Sequence, residues 1–237
     1  MPEARPVASV ARALALLDSL AERPRGVNEL ARGIGVSAST ASRLLATLQR
    51  GGLVERDAGG PYRLGIKLVT LADGVRLDVR EAARPRLRAL AAETGETATL
   101  SVPAVGEAIT IDFVAGESSV VSLARVGRPS VAHATAVGKV MLAHGGHPPS
   151  PLTRYTQHTI VEPGQLAAEV ATVRERGWAE AVGEREADLN ALAAPVLGRD
   201  GELVAVLGLQ GPAARLTAER RRAVLPRLLE EAAQLQG

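Results

Sequence analysis

Ser39, Ser42, Arg43 and Arg50, with Thr40 and Thr47 at the edges, recur at three- and four-residue spacing and so share one face of a helix. Small hydroxyls and guanidinium groups on an exposed helix face are the chemistry that reaches phosphates and base edges in a DNA major groove. The other face of the same stretch, Ala41, Leu44, Leu45 and Leu48, is apolar and must be buried. Ser37 stands where an N-cap belongs, its hydroxyl placed to accept from an amide of the first turn. Upstream, Val27, Leu30, Ala31 and Ile34 mark one face of a preceding short helix, and Gly33-Ile34-Gly35 breaks it sharply. Two short helices with a tight turn and a polar second helix form a helix-turn-helix with that helix as reader. The same residues also fit an ordinary amphipathic helix pair with a solvated polar face.

The residues on either side of the helix pair favour the DNA reading. Gly51-Gly52 stops the second helix; Leu53–Arg56 and Tyr62–Leu64 then read as two short strands joined by a turn at Asp57-Ala58-Gly59-Gly60. Val7, Val10, Leu14, Leu17 and Ala21 predict a first helix that roofs the pair, ended by Pro24 and Gly26. Three helices and a hairpin make a winged helix, whose wing would set Arg56, Tyr62 and Arg63 beside the phosphate backbone. The expected DNA-contacting set is therefore Ser37, Ser39, Thr40, Ser42, Arg43, Arg50, Arg56, Tyr62 and Arg63. Charge agrees: residues 1–65 hold nine arginines and six acidic residues, a net +3, while the remainder of this +2 chain is at −1.

Other chemistries find little support. The chain has no cysteine, so disulfides, thiolate metal sites and cysteine catalysis are excluded. His133–Lys139 ends in Gly-Lys, but a phosphate loop needs Gly where His133 stands and Ser or Thr where Val140 stands; Lys139 is read as capping or pairing structurally. His144, His147 and His158 lie in or near Gly- and Pro-rich segments, and no acidic residue is within a helical turn of His144 or His147, so they are read as surface residues rather than metal ligands. Glu180, Glu184, Glu186 and Asp188 read as a solvated edge or pocket rim, and no G-x-S-x-G elbow is present. The expectation is a non-enzyme without cofactor or metal.

A chain of 237 residues, 46% hydrophobic, accommodates two modest domains. Leu68, Leu71, Ala72 and Val75 outline a helix that runs toward Arg84-Pro85, where proline should kink or restart it. From Glu96 the texture changes to strands at Thr97–Val102, Ala108–Val114 and Val120–Leu123. A helical piece at Ala136–Ala143, a helix at Gln165–Arg176, strands at Trp178–Val182, Leu189–Val196 and Leu203–Gln210, and a helix from Thr217 to Leu235 complete it. Strands joined by hairpins with helices packed on one side predict an α+β domain with a largely antiparallel sheet. The organisation expected is residues 1–65 as the winged helix-turn-helix domain, 66–80 as a linker helix and 81–237 as the second domain. Trp178, the lone tryptophan, is read as a core anchor near Leu189 and Ala191. No apolar run is long enough to span a bilayer and no signal-peptide pattern opens the sequence, which argues for the cytoplasm.

Taken together the residues resemble the isocitrate-lyase-regulator (IclR) family of bacterial transcriptional regulators. The resemblance rests on Ser9-Val10-x-Arg12-Ala13-Leu14, Glu29-Leu30-Ala31, Ser42-Arg43-Leu44-Leu45-x-Thr47-Leu48 and Tyr62-x-Leu64-Gly65 in the first domain. In the second it rests on Arg84-Pro85, Thr94-Gly95-Glu96, His133-Ala134-Thr135-Ala136-x-Gly138-Lys139, Gly177-Trp178, Ala193-Ala194-Pro195-Val196 and Gly211-Pro212, in the family's order across nearly the whole chain. It implies a GAF-like α/β effector-binding domain and homodimers, often paired into tetramers, on palindromic double-stranded operator DNA. It further implies that a small organic effector controls operator affinity. The implied effector residues are Val121, Leu123, Ala136, Val137, Leu189, Ala191, Gly208 and Gln210. One departure stands out: the family often carries Ser or Cys where Ala191, Gly208 and Gln210 lie, and an acidic residue near Ala181. The pocket is therefore expected to be roomier and more apolar, with the Gln210 amide as its remaining hydrogen-bonding group. The alternative, from another class, is a small-molecule-binding or catalytic GAF-like domain whose N-terminal helices serve only dimerisation.

Overall fold

The computed structural model describes residues 7–56, 59–73, 78–104, 107–117 and 124–235. Internal contacts divide the chain into one compact unit up to Arg76 and a second from Leu77.

In the first unit, helices α1 (Ala8–Glu22), α2 (Val27–Gly33) and α3 (Ala38–Arg50) precede a hairpin of β1 (Val54–Arg56) and β2 (Tyr62–Leu64). Helix α1 departs from expectation: it turns Leu16 and Leu20 into the core, with Leu17 partly buried, and leaves Val7, Val10, Leu14 and Ala21 exposed. Helices α2 and α3 contribute the apolar stripes that their spacing predicts, Leu30 and then Leu45 with Leu48, closed by Val54 and Tyr62. Burying that set fixes α3 with its polar face outward. The hairpin is pinned to the turn after α1, since Arg25 and Tyr62 exchange backbone bonds of 3.0 and 2.8 Å. Helix α4 (Lys67–Asp73) comes next.

The second unit opens with α5 (Asp78–Thr94), which continues through the expected 80/81 boundary. Pro85 lies inside α5, which continues through it rather than restarting there. Then come β3 (Thr97–Ala104), β4 (Glu107–Val114), β5 (Pro129–Ser130), α6 (Ala136–Ala143) and α7 (Pro163–Arg176). The chain goes on to form β6 (Ala179–Val182), β7 (Leu189–Leu197), β8 (Leu203–Pro212) and α8 (Ala218–Ala233). The six strands form one sheet, in the order β5-β4-β3-β8-β7-β6, with every neighbour antiparallel. The strand expected at Val120–Leu123, with its two candidate effector residues, lies outside the described residues.

The helices cover both faces of this sheet, not one as the pattern suggested. On one face Leu100, Leu192, Ala194, Leu207 and Leu209 pack against Leu87 and Leu90 of α5 and Leu228 of α8. On the other, Ala193, Val206 and Ala181 pack against Ala136 and Val140 of α6 and Val173 of α7. Strands buried on both faces lose the alternation of apolar and polar residues, so the side that the helices take is not legible in them. Trp178 packs on the α5/α8 face with the Arg176 guanidinium 4.0 Å from its ring centroid, away from Leu189 and Ala191.

Candidate nucleic-acid interface and effector pocket

The reader face of α3 is built as its spacing requires. Ser37 caps the helix by accepting from the Thr40 amide at 3.2 Å, and its hydroxyl also lies 3.0 Å from that of Ser39 and 2.9 Å from that of Thr40. Ser39, Ser42, Arg43 and Arg50 are exposed, Thr40 half-buried. Arg43 and Arg50 have no ion-pair partner among the described residues, so both guanidinium groups are available to phosphate or base edges. Thr40, Arg43, Thr47 and Arg50 border a common surface hollow with Ala46 and Gln49. Gln49, overlooked in the sequence, is exposed seven residues after Ser42, on the same helical face; an amide there can read adenine.

The wing residues are held differently. Tyr62 is 5% exposed and belongs to the hydrophobic core; its ring supports the hairpin rather than standing beside a backbone phosphate. A three-residue strand gives too little alternation to reveal which way such a ring points. Arg56 binds its own turn, Nε to the Gly60 carbonyl at 2.9 Å, and lies 4.9 Å over the Tyr62 ring. Arg63 pairs with Glu55 at 3.3 Å, both groups about half exposed.

In the second unit, six residues singled out in the sequence converge: Ala136, Val137, Leu189, Ala191, Gly208 and Gln210 all line one recess of about 80 Å³. Val121 and Leu123 are not among the described residues. Thr135 caps α6, accepting from the Gly138 amide at 3.0 Å and donating to the Val131 carbonyl at 2.8 Å. The amides at Ala136 and Val137 come before any acceptor within the helix, and the helix dipole adds positive potential there.

The recess is mostly apolar, as expected, but the Gln210 amide is not its one remaining hydrogen-bonding group. Thr99, Thr110, Ser130, Thr135 and Arg185 share its lining. Thr99 pairs with Gly208 across β3 and β8, and a Cβ at residue 208 would come 2.5 Å from the Thr99 hydroxyl oxygen. The hydroxyl that position 208 lacks is thus supplied from the neighbouring strand, into space that only glycine leaves open. The recess opens into a wider cleft of about 570 Å³ that shares Thr110, Ser130, Thr135, Arg185, Leu189 and Gln210 with it.

The acidic run divides in two. Glu186 and Asp188 line the cleft rim, as expected. Glu184 is not solvated: it is 8% exposed and binds Lys139 at 2.6 Å, while Glu180 binds Arg221 at 2.9 Å. His144, His147 and His158 are exposed; His133 is buried, with Nε2 2.8 Å from the Thr153 carbonyl. Among the described residues no group of three or more His, Asp or Glu is arranged to hold a metal ion.

With reader face and recess in view, comparison with known sequences decides the family. Residues 9–58 match the profile of the IclR helix-turn-helix domain, and residues 74–236 that of the bacterial transcriptional regulator IclR C-terminal domain. The chain belongs to the IclR family. It is similar to the HTH-type transcriptional regulator XynR of Escherichia coli K12, 33% identical over 215 residues that cover 86% of this chain and 85% of that one. It also resembles the glycerol operon regulatory protein of Streptomyces coelicolor, 32% identical over 230 residues covering 91% and 89%. Among solved structures, an IclR regulator from Silicibacter superposes with a TM-score of 0.85 at 29% identity, over 96% of this chain and 94% of that one. An IclR homologue from Microbacterium hydrocarbonoxydans complexed with 4-hydroxybenzoate gives 0.81 at 26% identity, over 96% and 97%. This IclR chain is a transcriptional regulator with an N-terminal helix-turn-helix DNA-binding domain and a C-terminal α/β domain of the IclR type.

Proposed function

We propose that occupancy of the recess by a small organic effector controls the affinity of α3 for a palindromic double-stranded operator. The observation carrying this reading is the convergence of six residues from α6, β7 and β8 on one recess rimmed by hydroxyls and Arg185. Free helix amides, hydroxyls and a guanidinium group suit an oxygen-rich, anionic head group. Ser39, Thr40, Ser42, Arg43, Gln49 and Arg50 read bases and phosphates, while Ser37, Arg56 and Arg63 contact or position the backbone at the edges.

A homodimer belongs to the same reading, since a palindrome is met by a two-fold pair of readers. Val10 and Leu14 of α1, with Val7 just before it, expose an apolar stripe, and Ile66, Val69 and Leu71 do the same around α4. Stripes of this kind on a regulator suit burial against a second copy. No helix among the described residues is long and apolar enough to cross a membrane, and the reading puts the protein on DNA in the cytoplasm.

The test is fluorescence anisotropy on duplexes from the upstream region of its own and neighbouring genes. Tight, strongly salt-dependent binding to a palindrome supports the reading, and a small organic acid should shift it by a few kcal/mol at most. 4-Hydroxybenzoate, bound by the Microbacterium homologue, is a sensible first probe. Binding without sequence preference, or operator affinity indifferent to every organic acid that the protein binds, would sink it.

A further inference from the structure

Outside the recess, the wider cleft carries a feature that its shape alone does not require. Arg125, Arg128 and Arg185 all line it. None of the three has an ion-pair partner among the described residues, although Glu186 and Asp188 stand on the same rim. Three guanidinium groups against two carboxylates leave the concavity cationic, and curved walls focus such a field.

The arginines are positioned, not merely present. Arg125 and Arg128 occupy the first and last places of a tight turn closed by the Arg128 amide donating to the Arg125 carbonyl at 3.3 Å. Gly127 takes the left-handed φ of +80° that such a turn demands at its third place, so the two Cα atoms lie side by side. This turn is stitched to Thr110, whose carbonyl accepts from the Gly127 amide at 2.8 Å and whose amide donates to the Arg128 carbonyl at 3.4 Å. Thr110 itself lines both recess and cleft. Arg185 is fixed by stacking 4.0 Å over Tyr155.

A recess of about 80 Å³ holds only a few heavy atoms, so a ligand of ordinary metabolite size must extend into the cleft, toward these arginines. We propose that the cleft is a second, anion-binding subsite. It takes the phosphate monoester or terminal carboxylate of an effector whose other end fills the recess. Arg125 and Arg128 supply the paired donors and select for that second charge. The inference rests on the reading of the recess as the effector site.

The test uses the full-length protein labelled with 15N, following arginine Nε–H resonances as inorganic phosphate is added. A saturable response is expected, and it should be lost in the double variant Arg125→Ala/Arg128→Ala while persisting in Arg222→Ala, an exposed arginine of α8. Calorimetry then compares glycerate with 3-phosphoglycerate and butyrate with glutarate. The member that carries a second anionic group, in at least one pair, should bind about tenfold tighter, an advantage removed in the double variant at unchanged melting temperature. Preference in the first pair assigns a phosphate; preference in the second, a carboxylate. A phosphate response that does not saturate, that is equal in the double variant, or equal affinities within both pairs, overturns the proposal. If the doubly functional acids bind through these arginines yet no occupant changes operator affinity, the subsite stands and the regulatory reading fails.

Discussion

Lys139 and Glu184 form a buried ion pair, Nζ to Oε1 at 2.6 Å, with the lysine 2% and the glutamate side chain 10% exposed. The ammonium also donates to the Glu180 carbonyl at 3.0 Å and lies 3.6 Å from Glu169, while Oε2 of Glu184 has no hydrogen-bond partner among the described residues. The pair ties the middle of α6 to the connection between β6 and β7. Arg185, the next residue, borders the recess, so the pair holds both the helix whose first turn lines the recess and the segment bearing its guanidinium.

Removing one partner should therefore cost more than a surface pair would. Lys139→Met strands a buried carboxylate, and a loss of about 3–5 kcal/mol is expected in urea unfolding. The double variant Lys139→Met/Glu184→Leu should recover much of it, because a neutral packed pair avoids the desolvation penalty. Equal losses in single and double variants would mean that volume rather than charge matters at this site.

On the reader, Arg43→Ala should weaken specific operator binding by about 1–3 kcal/mol, since its guanidinium is exposed and unpaired. Arg63→Ala should cost less, because Arg63 must first release Glu55. Tyr62→Phe should leave operator affinity nearly untouched, in keeping with its buried ring. Anisotropy titrations of the three variants rank them; Tyr62→Phe as the largest effect would return the wing tyrosine to the interface.

Much of this was legible in the chain. The α3 face, its Ser37 cap, both strands of the hairpin and five of the six strands of the large sheet come from periodicity and capping chemistry, because each depends on neighbours within a turn or two. What could not be read depends on register between distant segments. Thr99 and Gly208 meet only because β3 and β8 pair across 109 residues of sequence, so the hydroxyl that Thr99 brings to the recess was invisible along either strand alone. Glu184 looked like part of a solvated acidic run for the same reason: its partner, Lys139, is 45 residues away. Leu192 to Val196 is apolar throughout, which hid the helices on the second face.

The Thr99–Gly208 fit makes its own prediction. Gly208→Ser should destabilise the protein by about 1–3 kcal/mol, because its Cβ meets the Thr99 oxygen at 2.5 Å. Thr99→Ala should lower effector affinity by about 1 kcal/mol through the lost hydroxyl. The combination Thr99→Ala/Gly208→Ser moves the hydroxyl from one strand to the other and should restore stability, and with it part of the affinity. Thermal melts and calorimetric titration of the three proteins check this; a double variant as unstable as Gly208→Ser alone would show that the clash lies with another neighbour, Val137 being next at 3.4 Å.

Trp178 allows the two units to be tested separately. Its contacts, the Arg176 guanidinium 4.0 Å from the ring and the apolar cluster beneath α5 and α8, all lie after Leu77. Each unit has a hydrophobic core of its own. A fragment of residues 77–237 is thus expected to unfold in one cooperative transition, with the emission maximum of the full-length protein. Because the ring is on the sheet face opposite the recess, an effector should change its emission only modestly, and Arg176→Ala should change it more. Excitation at long wavelength, where DNA does not absorb, extends the test to the complex. Operator DNA should leave the emission of effector-free protein unchanged; a shift as large as that of Arg176→Ala would mean that the environment of Trp178 includes the DNA-binding unit.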